Sequence, residues 1–282
     1  MSKLFTFVAG LSIGSILSIA LCKNIYYDQV VEINPEKSAL NSAKSILKYG
    51  FPGPISDLIY REAYVTSYNR QTRNPNWAAE IINAENAHPD RSKSHFKEDK
   101  SIPVKYRAKL SDYLKSGFDR GHLVPAADIK QSQKALDETF YLTNMSPQVI
   151  AFNRGYWAYF EAFCRSLVGK FDDVHVITGP LFLPKLRDGK KFVEYQVIGD
   201  SDIAVPTHFF KIILGVEKEK YYLGSFVLPN ESIDSNEPLT LFQVPLDSVE
   251  RASGLEFFQD VAKKLDLCAK VECKVKEFQF KE

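Results

Sequence analysis

Several stretches of the chain are built from β-branched and aromatic residues bounded by Gly, Pro or Asn, as is typical of β-strands. These predicted strands are Ala63–Tyr68, Val174–Gly179, Phe209–Leu214 and Tyr222–Leu228. Between residues 153 and 168, large apolar residues recur at helical intervals instead, at Trp157, Phe160, Cys164, Leu167 and Val168. This pattern predicts an amphipathic helix that packs on the sheet.

A further helix is predicted near the carboxyl end. Ser253-Gly254-Leu255-Glu256 fits a capping box, in which serine and glutamate satisfy the first free amides of a helix. The buried side of that helix would consist of Leu255, Phe258, Ala262 and Leu265. Strands and helices in this mixed order predict an α+β fold rather than a regular parallel βαβ arrangement.

The amino terminus carries an uncharged run of 19 residues, Leu4–Cys22, between Lys3 and Lys23. As a helix it would extend about 28 Å, which just spans the hydrocarbon core of a bilayer. We predict a hydrophobic anchor or targeting segment over residues 1–22, with a cleavable secretory signal or a buried core helix as alternatives. Residues 23–48 are then a polar tether, and a single domain follows over residues 49–282.

Composition narrows the classes of protein that fit. The 36 basic and 35 acidic residues leave a net charge of +1, which excludes a generally basic nucleic-acid binder. A hydrophobic content of 45% supports a sizeable buried core. The chain has no glycine-rich phosphate loop, so the sequence offers no support for nucleoside-triphosphate or dinucleotide chemistry.

The four cysteines are too few and too scattered for a disulfide framework, and none has zinc-site spacing. They are Cys22, Cys164, Cys268 and Cys273. The last two are close enough in sequence to form a disulfide, although their spacing does not require one.

The most informative segment for chemistry is Gly117–Asp128, in which His122 follows Arg-Gly at the predicted end of a strand. A histidine taken alone is more often structural than catalytic. Here Gly121 keeps bulk away from the imidazole, Arg120 can bind a phosphate bidentately, and Asp119 can compensate positive charge. His122 is therefore the best candidate for a reactive group.

The surroundings of this histidine are basic although the chain as a whole is nearly neutral. Between Lys105 and Lys134 there are seven basic and three acidic residues. Such a patch suits binding to a phosphate backbone, because it releases counterions whatever the base sequence. An ordinary solvated charged face is the alternative.

Three polar residues downstream complete a possible site. If Asn153 opens the predicted helix, its amide oxygen can ligate a hard cation such as Mg²⁺, which prefers oxygen ligands and keeps most of its waters. Glu161, eight residues further, could then approach the water shell of the metal but hardly ligate the ion itself. Taken singly, Asn144 is most simply a turn residue, Asn153 a helix cap and Glu161 an exposed charge.

The ordered series of motifs resembles the DNA/RNA non-specific endonuclease family of ββα-metal nucleases. The resemblance is carried mainly by FDRGHLVPAADIKQSQKALDETFYLTNMSPQV and FNRGYWAYFEAFCRSL, and it covers roughly residues 48 to 262. It implies a central mixed, mainly antiparallel sheet flanked by helices. The activity that it implies is Mg²⁺-dependent hydrolysis of phosphodiester bonds in DNA and RNA, with Mn²⁺ as a substitute metal.

The resemblance also implies roles for single residues. His122 matches the general base and Asn153 the single direct protein ligand of the metal. Arg120, Asn144 and Glu161 match supporting positions in the active site. Arg73 resembles an arginine that contacts substrate phosphate, with the nearby Arg70 as a competing assignment.

The cellular role is likewise implied only by the resemblance. It comprises a homodimer in the mitochondrial intermembrane space or at the inner membrane, held through residues 4–22, with relocation to the nucleus and DNA fragmentation in apoptosis. One alternative is a mitochondrial 5′-exo/endonuclease of the same superfamily. The other is a membrane-tethered nucleic-acid-binding protein without turnover.

Overall fold

The computed structural model describes residues 55–82 and 89–275. Its strands are β1 Ser56–Tyr60, β2 Tyr64–Asn69, β3 Asn74–Ile82, β4 Phe118–His122, β5 Met145–Val149, β6 Asp173–Leu181, β7 Lys185–Arg187, β8 Lys190–Phe192, β9 Val197–Ile198, β10 Ile203–Ala204, β11 His208–Glu217, β12 Lys220–Pro229 and β13 Leu265–Asp266. Its main helices are α1 Gln133–Glu138, α2 Ala158–Ser166, α3 Leu246–Ser253 and α4 Leu267–Lys270. A short α-helical turn, Ile150–Phe152, and a π-helical turn, Asn153–Trp157, lead into α2. Short 3-10 turns occupy Arg91–Lys93, Val104–Tyr106, Leu110–Tyr113, Ala126–Asp128, Leu142–Asn144 and Leu239–Phe242.

The central sheet has seven strands in the order β1-β2-β3-β6-β11-β12-β13. All neighbours pair antiparallel except β12 and β13, which are parallel. The prediction of an α+β fold with a mixed, mainly antiparallel sheet is therefore confirmed. β11 is mostly apolar between Phe209 and Val216, as suits an interior strand that is buried on both faces.

Helices and loops cover both faces of this sheet. On one face, α2 packs its aromatic side against the sheet, with Phe160 edge-on to Phe226 of β12. On the other face, Val249 of α3 packs with Phe210 and Ile212 of β11. The predicted amphipathic helix is thus confirmed, and Trp157, at its start, is fully buried.

The Arg-Gly-His segment belongs to a separate two-stranded antiparallel ribbon, which lies beside α2. β4 and β5 pair antiparallel, with His122 opposite Met145. His122 is the last residue of β4, as predicted. Gly121 is required here, since a Cβ at this position would lie 2.0 Å from Oε1 of the buried Gln148.

The prediction that a helix begins at Ser253 is wrong. Residues 246–253 are helical instead, and Gly254 ends α3 in the left-handed conformation at φ 72°. The Ser253 hydroxyl accepts a hydrogen bond from the Leu255 amide just after this helix end. Beyond it, Phe257 is buried in a nonhelical segment, whereas Ala262 is exposed.

The predicted anchor, tether and beginning of the body, together with Cys22, lie outside the described residues. Within residues 55–82 and 89–275, no helix combines the length and apolar character that crossing a bilayer requires. Cys268 and Cys273 form a disulfide across α4, a pairing that the sequence left open. Cys164 is a buried free thiol whose pKa is raised to about 12 by burial.

Candidate active site

A cavity of about 910 Å³ lies between the β4–β5 ribbon and α2. It is lined by four of the predicted site residues, His122, Arg120, Asn153 and Glu161. These four come from two separate segments of the chain, β4 and the helical stretch that follows β5. The fold therefore brings together the residues that the sequence marked as reactive.

The imidazole of His122 is held by aromatic packing rather than by hydrogen bonds. It lies between Phe96, at 5.5 Å between ring centroids, and Phe140, at 5.1 Å in an edge-on arrangement. Its Nε2 is buried and has no hydrogen-bond partner among the described residues. The ring is fixed in place while this nitrogen stays free to take a proton.

Two guanidinium groups flank the same aromatic pair. Arg120 lies over the ring of Phe96, at 4.2 Å from its centroid, and Arg91 lies 5.8 Å from the centroid of Phe140. Burial, assisted by the positive charges of Arg91 and Arg120, lowers the pKa of His122 to about 3. The imidazole is accordingly neutral at physiological pH, as a base must be.

Asn153 is oriented by Asp119 of β4. Its Nδ2 donates to Asp119 Oδ2 at 2.9 Å, and Arg154 donates to both oxygens of the same carboxylate. Although burial alone would raise it, these bonds from Arg154 and Asn153 lower the pKa of Asp119, which stays ionised. The amide oxygen of Asn153 accepts no hydrogen bond from the described residues, and Asn153 lines the cavity.

The backbone around Asn153 differs from the prediction that this residue opens the helix. Asn153 already has helical dihedrals, and the preceding turn begins at Ile150. The helix is interrupted two residues later, at Gly155, where φ is −109° and ψ is −113°. A π-helical turn of this kind is frequent at functional sites, and here it separates Asn153 from the regular helix that carries Glu161.

Glu161 lines the cavity from α2. It forms no hydrogen bond or ion pair with other residues that the structure describes. Burial raises the pKa of Glu161 to about 7, against the lowering effect of Lys211, and Asp128 raises it further. The carboxyl group therefore changes charge near neutral pH.

Asn144 is placed behind the site rather than in it. Its side chain is fully buried, accepts a hydrogen bond from the Val124 amide and donates to the carbonyls of Val124 and Thr139. The Leu123 amide also donates to the Asn144 carbonyl. The bonds to Leu123 and Val124 fix the loop that follows His122, and the bond to Thr139 ties it to the end of α1, so the geometry suits Asn144 to positioning that loop.

Arg73 is not among the residues that line the cavity of His122. It occupies a turn at φ 54° and its Nη2 donates to the carbonyl of Lys105. The competing residue, Arg70, is engaged with Asp57 through Nε at 2.6 Å. The structure brings neither arginine to the predicted base.

Three other arginines line the cavity and were not predicted as site residues: Arg91, Arg154 and Arg165. Arg91 lies in an exposed 3-10 turn of a charged segment, where nothing local distinguishes it from its neighbours. Arg165 follows Glu161 by four residues on α2, and this helical spacing could have revealed it. Its Nη1 donates to the buried Asp128 at 2.6 Å.

The oxygen donors of the cavity suit a hard, largely hydrated cation. In the part of the chain that the structure describes, no group of three or more His, Cys, Asp or Glu side chains could hold a metal ion. The free amide oxygen of Asn153 and the unbonded carboxyl of Glu161 remain. A site with so few protein ligands fits Mg²⁺, which keeps several waters when bound.

Comparison with known proteins identifies the family. Residues 42–264 match the family model of the DNA/RNA non-specific endonucleases. The chain is 52% identical to nuclease C1 of Cunninghamella echinulata var. echinulata, over 83% of this chain and 96% of that protein. It is also 52% identical to the mitochondrial nuclease of Saccharomyces cerevisiae, over 81% of this chain and 74% of that protein.

A solved structure agrees with these sequence matches. The crystal structure of an EndoG/EndoGI complex superposes with a TM-score of 0.71 at 45% sequence identity. The match covers 78% of this chain and 92% of that one. Together with the family match, it shows that the chain is a member of the DNA/RNA non-specific endonuclease family, whose enzymes hydrolyse nucleic acids.

Proposed function

We propose that this chain is a Mg²⁺-dependent endonuclease that hydrolyses phosphodiester bonds within DNA and RNA without sequence preference. The observation that carries the proposal is the convergence in one cavity of an unbonded imidazole, a free amide oxygen and several guanidinium groups. Each of these matches a need of the reaction: a base for water, a ligand for a hard cation, and positive charge for phosphate.

His122 is the general base of the proposed mechanism. Its neutral imidazole takes a proton from the water that attacks phosphorus, and the Phe96 and Phe140 rings hold it in one orientation. A phosphate bound beside Arg91 and Arg120 adds negative charge, which opposes their effect and raises the pKa of His122 toward its ordinary value. Substrate binding thereby strengthens the base.

Asn153 is the protein ligand for the metal in this proposal. A bound Mg²⁺ supplies positive charge that stabilises the phosphate and the departing oxygen as negative charge develops there. Asp119 accepts a hydrogen bond from the Nδ2 of Asn153 and so fixes the amide group, whose oxygen is left for the metal. Glu161 orients water molecules in the cavity, and Asn144 keeps the loop after His122 in place.

Arg120 and Arg91 bind the phosphate backbone. Guanidinium groups form bidentate, charge-assisted hydrogen bonds with phosphate oxygens. Such contacts fix the position of the nucleic acid without reading its bases. Cleavage that is indifferent to sequence and to the type of sugar follows from this arrangement.

Arg91→Ala is expected to weaken DNA binding about tenfold and to lower the slope of log affinity against log salt by about one, because one phosphate contact is lost. Arg73→Ala is the matched control. It is expected to have a smaller effect, since Arg73 does not line the cavity. The affinity of each variant for a short duplex, measured at several salt concentrations, tests this prediction. An equal loss of affinity in the two variants would show that Arg73 also binds the substrate, and it would contradict the assignment of phosphate binding to Arg91 rather than Arg73.

We extend the proposal to the cellular setting. The relative from yeast is named a mitochondrial nuclease, which supports a mitochondrial location for this chain. The homodimer, the intermembrane-space or inner-membrane address, nuclear relocation and DNA fragmentation in apoptosis remain proposals drawn from the family resemblance. Fractionation of cells that express the tagged full chain, before and after an apoptotic stimulus, tests the location.

Closed circular DNA separates the proposed activity from its alternatives. The full chain in detergent with Mg²⁺ is expected to nick and then linearise supercoiled plasmid, to degrade RNA, and to do neither in EDTA. A 5′-exo/endonuclease acting from ends would spare closed circles and degrade linear DNA. A binding protein without turnover would shift DNA in a gel and cut neither form.

A further inference from the structure

Arg154, the residue that follows Asn153, lines the active-site cavity and is tied to one of its carboxylates. Its Nε donates to Asp119 Oδ2 at 2.8 Å, and its Nη2 donates to Asp119 Oδ1 at 2.9 Å. Two parallel hydrogen bonds of this kind fix the plane of a guanidinium group as well as its position. The charged end of Arg154 is therefore held in one orientation, although 69% of the side chain is exposed.

The bonds to Asp119 use only one edge of this guanidinium group. An arginine carries five N–H groups in a planar fork, and Asp119 takes the edge formed by Nε and Nη2. The other edge consists of Nη1 and the second N–H of Nη2. Within residues 55–82 and 89–275, Nη1 of Arg154 donates no hydrogen bond. This free edge can bind a second acceptor bidentately, and phosphate has the matching geometry.

The charge of Asp119 gives Arg154 a second task. Asp119 lines the same cavity, so a phosphate backbone that enters it meets a negative carboxylate. The other side-chain partner of Asp119, Nδ2 of Asn153, carries no charge. Arg154 thus supplies the positive charge that is ion-paired with Asp119 and reduces its repulsion of phosphate.

Stability alone is a poor explanation for the ion pair. A pair with one highly exposed member contributes little to the free energy of unfolding, because water screens its charges. A guanidinium group that is already ordered loses less conformational freedom when it binds a ligand. The pair with Asp119 therefore prepares Arg154 for binding more than it stabilises the fold.

We propose that Arg154 is a phosphate-binding residue of the active site: Asp119 holds one edge of its guanidinium group, and the free edge binds a backbone phosphate close to the one that is cleaved. The place of that phosphate follows from Asn153, which precedes Arg154 and shares Asp119 with it. The inference deepens the proposed function and rests on it for the nature of the substrate. Since the contact is to phosphate, it is the same for every base sequence.

Arg154→Ala tests the proposal through the binding of a short DNA duplex to the full chain, in detergent and EDTA, where the proposed metal-dependent cleavage is blocked. The affinity is expected to fall about tenfold, and the slope of log affinity against log salt is expected to decrease by about one, because one phosphate contact is lost. In cleavage with Mg²⁺, KM should rise, whereas kcat and the Mg²⁺ concentration for half-maximal activity should change little.

Two further variants separate the contact from general effects of charge. Arg251 of α3 is equally exposed and forms an ion pair with Asp247, but it does not line the cavity. Arg251→Ala is therefore the matched control and is expected to bind DNA like the unchanged chain. Arg154→Lys keeps the charge but lacks the second edge, so it should retain the salt slope and lose part of the affinity.

The proposal is overturned if Arg154→Ala has the affinity and the salt slope of Arg251→Ala. Unchanged binding together with a raised Mg²⁺ requirement would also overturn it, since Arg154 would then only orient Asp119 and Asn153. Circular dichroism and thermal unfolding monitor the fold, and Arg154→Gln, which keeps a neutral donor, replaces the Ala variant if that variant unfolds. Unfolding of both would assign the ion pair to stability and overturn the proposal as well.

Failure of the proposed function has a different signature. An unchanged chain that cuts neither plasmid nor linear DNA in Mg²⁺ would refute the proposed activity. The comparison of Arg154→Ala with Arg251→Ala in EDTA does not depend on cutting, so it would still decide whether Arg154 binds phosphate.

Discussion

Replacing His122 with alanine is expected to lower the rate of DNA cleavage by about two to four orders of magnitude, the usual contribution of general base catalysis. The variant loses the only imidazole that lines the described cavity, while Arg120, Arg91 and Asn153 remain to bind phosphate and metal. DNA binding should therefore persist. The measurement is the maximal rate of plasmid nicking, paired with the affinity for a duplex under conditions that prevent turnover.

His175→Ala is the matched control for this prediction. His175 lies on β6 of the central sheet, packs near Phe258 and does not line the cavity of His122. Its removal is expected to leave the rate within a few-fold of the unchanged chain. Retention of full turnover in the His122→Ala variant would exclude His122 from the mechanism.

Asn153→Ala is expected to lower cleavage at ordinary Mg²⁺ concentrations by about two to three orders of magnitude, because the cavity loses the amide oxygen proposed to ligate the metal. The variant also loses the hydrogen bond that the Asn153 side chain donates to Asp119. Titration of the rate with Mg²⁺ should reveal a much higher concentration for half-maximal activity.

An exposed asparagine supplies the control for Asn153. Among the residues that the structure describes, Asn236 bonds only to Asp234, two residues away, and it lies outside the cavity. Asn236→Ala is expected to show the rate and the Mg²⁺ dependence of the unchanged chain. An Asn153→Ala variant that matched it in both respects would contradict the proposed metal ligand.

The elements with a strong and continuous pattern were predictable from the sequence. The interior strands β11 and β12 consist mostly of apolar residues, and α2 places its aromatic residues at helical spacing. Burial in the finished fold follows directly from such patterns. The segment after Ser253 was not predictable in the same way, since Ser-Gly can begin one helix or end another. In the structure Gly254 adopts the left-handed conformation and ends the preceding helix, α3.

The candidate site was predictable where its residues lie in short, distinctive motifs. His122 and Asn153 belong to such motifs, and the fold places both on one cavity. Arg91 was missed because its role depends on the ring of Phe140, which is 49 positions away in sequence and adjacent only after folding. The interruption at Gly155 was also unforeseen, because the apolar spacing continues across it.

The charges beneath α2 illustrate a second limit of sequence analysis. Lys211 is the one charged residue of the predicted strand Phe209–Leu214, yet it is buried in an interior strand of the sheet. Its ammonium group donates to Thr178 of β6 and lies near the rings of Trp157 and Phe160 at the start of α2. Only the packing of α2 on the sheet brings these groups together.

The most direct test of the account is the conversion of supercoiled plasmid to nicked and linear forms by the full chain, with Mg²⁺ and with EDTA, beside the His122→Ala variant. The account predicts cutting by the unchanged chain in Mg²⁺, and cutting reduced by orders of magnitude when either the metal or His122 is removed. Undiminished cutting by a folded His122→Ala variant, or in EDTA, would contradict it.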